Sequence, residues 1–323
     1  MAGRSSLAVR LARQIQQAPL CLFRFVEWPF VAVFGRKKGP TPAIFVLAVP
    51  RSGSTVTYQT ICHGLAVNYL SNLWHLLYQL PLAGGWLSAK KARHHQSDFT
   101  SQHGFVAGLD GPAEGLRFWQ WWLGCGLSDA ECSALTTNKL NKRTNYLRRV
   151  FSVLARNSEP FATAYLGHTL VPDTVERAFP GAVLIRLKRE PVSNALSLLK
   201  SMRRGNSGWF SVKPRECEGL DTATEHERVA AQVYWLNRRL DDAACVSKML
   251  TVHYEELCEN PEREIERIRQ FCERMGLSIA RKFNLPKKFH FNKVDLNSDS
   301  DAIAIRLALT ELEAKHGKLE SVE

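Results

Sequence analysis

Residues Ala43 to Leu65, AIFVLAVPRSGSTVTYQTICHGL, place a continuous apolar run, a tight polar turn and a helical repeat side by side. Ile44, Phe45, Val46, Leu47 and Val49 read as a short strand buried on both faces, of the kind found inside a parallel sheet. Pro50 ends the run, and Arg51-Ser52-Gly53-Ser54-Thr55 follow. Gly53 permits a turn that other residues resist, and Ser54 or Thr55 is expected to cap the next helix. Val56, Ile61 and Leu65 then recur at roughly helical spacing. Such a unit aims the turn amides and the helix N-terminus at one point, which makes an anion site. Arg51 adds a fixed cation with a planar donor fork. On these residues alone, an ordinary strand-to-helix turn with a solvated arginine stays open. The phosphate loop G-x-x-x-x-G-K-S/T does not fit, because no Gly-Lys pair is present.

A second unit of the same kind lies in FPGAVLIRLKREPVSNALSLLKSMR, Phe179 to Arg203. Val183 to Leu187 reads as a strand, interrupted by Arg186. Pro191 suits the first turn of a helix whose apolar face is Val192, Ala195, Leu196 and Leu199. Arg189 closes the strand and Ser197 stands nearly two turns into the helix. Taken singly, these are a surface arginine and a helix serine.

Together the two segments resemble the sulfotransferase family. Pro50 to Thr55 is similar, nearly letter for letter, to the family loop that holds the 5′-phosphosulfate of 3′-phosphoadenosine 5′-phosphosulfate (PAPS). Arg189 with Ser197 resembles the family's 3′-phosphate site, and Glu190 stands where Asp is commoner. The resemblance covers about Ala43 to Leu277. It implies an α/β fold of three layers, α/β/α, with a central, mostly parallel, P-loop-like sheet. It further implies transfer of the sulfuryl group of PAPS to an acceptor hydroxyl or amine, leaving 3′-phosphoadenosine 5′-phosphate (PAP), with no metal. Arg51, Ser52, Gly53, Ser54, Thr55, Arg189 and Ser197 would hold the nucleotide. His253-Tyr254-Glu255-Glu256-Leu257 resembles the family's Y-E-D-L corner, which would place Tyr254 near the adenine; a core tyrosine is the alternative reading.

Two residues compete as the base that takes the acceptor's proton. Glu114, in Pro112-Ala113-Glu114-Gly115, precedes the aromatic cluster Phe118, Trp119, Trp121 and Trp122. A carboxylate beside apolar rings has its pKa raised, which suits a general base. The segment also resembles a P-x-E-x motif of bacterial sulfotransferases acting on glycans and related acceptors. The plain alternative is an acid in a first helical turn, facing the dipole. His168 is the runner-up. It keeps its place in a family Lys-x-Pro-x-His frame, although Ala164 and Leu166 replace the Lys and Pro; a neutral loop histidine is its alternative. His94-His95 reads as a solvated pair, and His103, in a Gly-flanked loop, has no evident metal partner.

The chain has 323 residues, 45% of them hydrophobic, and a net charge of +12, which favours anionic partners. No aromatic–basic RNA signature or zinc-finger spacing accompanies the charge, so nucleic acid is not expected. Eight scattered cysteines without a C-x-x-C pair suggest reduced thiols and a cytoplasmic protein. Residues 41–323 read as one domain with a helical, acceptor-side insertion at about 66–159. Residues 1–40 begin basic and turn apolar at PLCLFRFVEWPFVAVF, a run too short for a membrane span. That run reads either as a helix packed on the sheet or as a segment lying at a membrane surface. Arg36-Lys37-Lys38-Gly39-Pro40 looks like the linker into the domain. Trp119, Trp121, Trp122 and Trp209 suit stacking on sugars, so a glycan or glycolipid is the expected acceptor. The basic stretch Arg281 to Lys293 is either a supplement to the 3′-phosphate site or a solvated face. A kinase-like nucleotide-binding protein and a non-catalytic polyanion binder are the rival readings.

Overall fold

The structure is a computed structural model that describes residues 20–34, 42–92, 94–101, 104–132, 137–154, 159–205, 208–291 and 298–319. The basic start of the chain, the 36–40 linker, His103 and Lys293 lie outside the described residues.

Five parallel strands form the sheet: β1 (Ala43–Ala48), β2 (Asn68–Tyr69), β3 (Phe161–Thr163), β4 (Val183–Lys188) and β5 (Met249–His253). Their spatial order is β2-β3-β1-β4-β5. Helices of eight or more residues are numbered. These are α1 (Leu20–Phe34), α2 (Ser54–Gly64), α3 (Pro81–Ala92), α4 (Leu116–Leu123), α5 (Thr137–Leu154), α6 (Pro191–Gly205), α7 (Glu225–Asp241), α8 (Pro261–Arg274) and α9 (Ser300–His316).

Every residue of β1 and of β4 is buried, as strands covered on both faces require. The period-2 alternation of side chains sorts β1 into two cores. Ile44, Val46 and Ala48 pack with residues of α2, α6, α7, α8 and α9. Ala43 and Phe45 pack with Val31 of α1 and with Phe118, Trp119, Trp122, Leu147 and Phe151 of α4 and α5. Three layers result, the second helical layer being built largely from chain between β2 and β3. Arg186, the charge that interrupts β4, is buried and pairs with Asp241 at 2.5 Å.

Caps set several boundaries. Thr224 and Glu227 form a capping box at the start of α7, and Asn260 accepts from the Arg263 amide ahead of Pro261. Glu190 accepts from the amides of Val192 at 2.9 Å and Ser193 at 2.6 Å, so its carboxylate closes the N-terminus of α6. At α2 neither Ser54 nor Thr55 caps: the helix starts at Ser54, and Gly53, in the left-handed region at φ 100°, is the cap residue without a side-chain bond. The short helix before Pro81 spans Asn72–Leu76, and Pro81 opens α3.

β1 lies between β3 and β4, and Ala48 is in register with Leu187. The chain leaves β1 toward β2 and leaves β4 toward β5, in opposite directions along the sheet. The two loops therefore diverge from a crevice at the carboxyl ends of adjacent strands, the position at which open α/β sheets take ligands.

Candidate active site

That crevice opens into a cavity of about 380 Å³. Arg51 and Gly53 line it from the first loop, Ser54 and Thr55 from the start of α2, Arg189 from the second loop, Ser197 from α6, and Tyr254 from the start of the short helix Tyr254–Glu259 after β5. Glu114 lines the same cavity. Ser52 does not: its side chain is buried, and its amide donates to Val49 O at 3.1 Å, closing the turn.

The loops are tied to each other. Arg189 Nη1 donates to the carbonyl of Arg51 at 2.8 Å, and Asn194 Nδ2 donates to the carbonyl of Pro50 at 2.7 Å. The Arg189 guanidinium lies 4.8 Å from the centre of the Tyr254 ring, within cation–π reach. Tyr254 also fixes the identity of residue 53, because a Cβ there would sit 2.2 Å from its ring. The first amides of α2 have no intrahelical acceptor and stand at the positive end of the helix dipole.

Among the described residues neither Arg51 nor Arg189 forms an ion pair, and the Nε atoms of both are buried without a hydrogen-bond partner. Burial, followed by the neighbouring charges of Arg189 and Arg204, pulls the pKa of Arg51 below its ordinary value. Arg51 thus feels the charges of two further guanidinium groups, with no ion-paired carboxylate on Arg51 or Arg189 among the described residues, an arrangement that an anion with several charges would relieve. The residues fit a bisphosphorylated nucleotide on that observation.

Glu114 stands two residues ahead of α4, with Gly115 at φ 74° as the cap, so it is not a first-turn acid. Burial raises its pKa to about 7, and the charge of Arg51 opposes that rise. Gly104 borders it: a Cβ on Gly104 would lie 4.0 Å from Glu114 Oε1 and 3.5 Å from Thr55 Oγ1. His168 is elsewhere. It is wholly buried, edge-on to Trp119 at 4.4 Å, Tyr165 at 5.1 Å and Phe45 at 5.2 Å, and it does not line the cavity. Burial lowers its pKa to about 3.

The tryptophans need a correction. Trp119 and Trp122 are buried in the core, Trp119 donating to Thr163 Oγ1 at 3.0 Å, so neither offers a face to a sugar. Trp121 is partly exposed, and Trp209 donates to Asp221. In the basic tail Arg281 pairs with Glu262, Lys282 packs on Phe283, and the described part of the stretch does not line the cavity. Sequence reading did not single out Tyr165, which lines the cavity, or Arg204, whose charge acts on Arg51. Arg204 was within reach of it, since it follows Ser197 by seven residues and shares that helical face.

A sequence model described as the sulfotransferase family matches residues 42–275. The chain belongs to the sulfotransferase family. Comparison with curated proteins gives no match. Among solved structures, sulfotransferase STF9 from Mycobacterium avium aligns at 14% identity and a TM-score of 0.52, over 93% of this chain and 73% of that one. This likeness shows the fold that the family shares, a P-loop-like α/β sheet. Sulfotransferase STF1 from Mycobacterium tuberculosis H37Rv aligns at 15% identity and 0.46, over 90% and 75% of the two chains. A sulfotransferase from Alicyclobacillus acidocaldarius aligns at 15% and 0.38, over 86% and 96%.

Proposed function

We propose that this sulfotransferase moves the sulfuryl group of PAPS to a hydroxyl of a glycolipid or related acceptor, with Glu114 as the general base. The observation that carries the reading is the sharing of one cavity by Glu114, Arg51, Arg189 and Ser197. PAPS would supply an activated sulfuryl group, and the chain's own groups divide the remaining work. Arg51 and the first amides of α2 hold the 5′-phosphosulfate and meet the charge that builds on the leaving phosphate oxygen. Arg189 and Ser197 hold the 3′-phosphate, and Tyr254 borders the adenine. The acceptor oxygen bonds to sulfur as the sulfur–phosphate oxygen bond breaks, PAP departs, and the acceptor proton passes to the Glu114 carboxylate.

Leu116, Leu127, Leu166 and Phe210 give the cavity an apolar wall, which favours an acceptor with an apolar portion. That wall, with Trp119 and Trp122 buried, favours a glycolipid over a bare glycan. The seven described cysteines are free, in keeping with a reducing, cytoplasmic setting.

The deciding experiment is thermal unfolding with added ligands, followed by transfer of labelled sulfate from PAPS into host extracts. Stabilisation by PAP but not by ATP or heparin fragments supports the donor site. ATP stabilisation would point to a kinase-like protein, and heparin alone to a polyanion binder. Label recovered only in protein or polysaccharide would overturn the acceptor assignment.

A further inference from the structure

Helix α1 has its polarity reversed. Its one carboxylate, Glu27, is buried and accepts from the amides of Leu82 at 3.0 Å and Ala83 at 2.7 Å, at the N-terminus of α3. Tyr146 of α5 donates to the same carboxylate at 3.3 Å. Val31, one turn on from Glu27, is buried beside it. The outward arc instead carries Phe25, Val26, Trp28, Phe30 and Val33, with Phe25 86%, Val33 74% and Phe30 59% exposed. A helix with aromatics toward water and its acid toward protein has its anchored side satisfied and its apolar side uncovered.

The neighbouring helices say what covers it. α1, α3 and α4 each contact α5, and α1 also contacts α3. Together they contain nine Lys or Arg residues and Glu27 as their single acid. Tyr78, Arg117, Gln120, Trp121 and Arg143 line a groove of about 330 Å³ between α4 and α5. Arg143 lies three residues before Tyr146 on α5, so the groove lies within a helical turn of the residue that holds Glu27. A second copy of the chain is a poor occupant, because a two-fold contact would set two cationic faces together. Among the described residues no helix is long and apolar enough to cross a membrane.

We propose that this face docks on an anionic phospholipid bilayer, α1 lying in the interface and the Arg117–Arg143 groove over the headgroups. Apolar burial and cationic attraction then act on the same surface. Nothing in this placement depends on the reaction catalysed.

Co-sedimentation of the full chain with phosphatidylcholine vesicles, with and without phosphatidylglycerol, tests it. The chain should bind the anionic vesicles, and less so as salt rises. Phe25→Ser with Phe30→Ser should lower the partition coefficient at least about tenfold. Arg117→Gln with Arg143→Gln should lower it about five- to thirtyfold, on anionic vesicles alone. Quenching by brominated acyl chains, compared between wild type and Trp28→Phe, reads the insertion of α1 without altering its packed side. Wild type left in the supernatant with every vesicle overturns the proposal. So does a serine double variant that binds as tightly as wild type, or the absence of quenching at Trp28. Self-association that the serine variant abolishes, with no vesicle binding, would assign the face to a second copy instead.

Discussion

Arg189 donates from Nη1 to the carbonyl of Arg51 at 2.8 Å, across 138 residues of sequence. Arg51 itself lies in the left-handed region at φ 65°, a conformation that costs a side-chain-bearing residue about 1–2 kcal/mol. The loop after β4 thus holds the loop after β1 in a strained shape, with Asn194 on the Pro50 carbonyl as a further tie. One side chain both presents charge to the cavity and fixes the loop carrying the other cation.

Replacing Arg189 should accordingly injure two functions. Arg189→Ala should weaken PAP binding by on the order of 10²-fold, since hydrogen bonds to charged groups contribute about 1.5–3 kcal/mol each. Arg189→Lys keeps the charge but lacks the fork that serves loop and ligand together. It should still lose about tenfold or more in PAP affinity, by calorimetric titration, if a neutral-pair bond of about 1 kcal/mol and its geometry are forfeited.

Arg51→Ala removes the cation that the proposed mechanism sets where charge builds on the leaving oxygen. The expected loss in kcat is about 10²–10³, as for oxyanion-hole donors. A variant that transfers sulfate at the wild-type rate would remove Arg51 from the chemistry.

Glu114→Gln keeps shape and removes the proposed base, so kcat should fall roughly 10²–10⁴ while PAP affinity stays within a few fold. With a pKa of about 7, Glu114 is mostly a protonated carboxylic acid, unable to accept a proton, in acid, and a competent carboxylate above neutrality. Wild-type kcat/KM should therefore climb with pH up to about 7 and then level off, and the variant should lack that limb. A limb that survives in Glu114→Gln belongs to another group.

Much of this was legible in the sequence because it is local. Strand, Pro50, Gly53 and a helical repeat lie within one stretch of 23 residues, and the second loop repeats the device. What was not legible arises from contacts between distant residues. Tyr165 stands three residues before His168, but nothing near that histidine in sequence announces that Phe45 and Trp119 close around it as well. For Trp119 and Trp122 the signal was present but misread: Phe118, Trp119, Trp122 and Leu123 recur at helical spacing, the mark of a core face. Their density of rings suggested a sugar platform, yet tertiary packing took them inward. Gly115, in the left-handed region, moved Glu114 off the helix and to the cavity wall.

Gly53 is held by two constraints, its φ of 100° and the Tyr254 ring 2.2 Å from any added Cβ. Gly53→Ala should destabilise the fold by about 2–4 kcal/mol, combining backbone strain with overpacking. In a double-mutant cycle, Tyr254→Ala should recover the packing part and leave the backbone part. Chemical denaturation of the four proteins measures both, and strict additivity would show that ring and turn do not meet.

His168 gives a stability signature separate from catalysis. Its folded pKa of about 3 lies below the ordinary value of 6.5, so between those values the unfolded chain binds the extra proton. Stability therefore falls as pH drops from about 6.5 toward 3, by up to about 1.4 kcal/mol per pH unit. Both ring nitrogens are buried without a hydrogen-bond partner, so an apolar side chain of similar volume fits the site. His168→Met should flatten the acid side of the stability curve and keep sulfate transfer within a few fold of wild type at pH 8. Loss of transfer in a variant that melts like wild type would return His168 to the list of candidate bases.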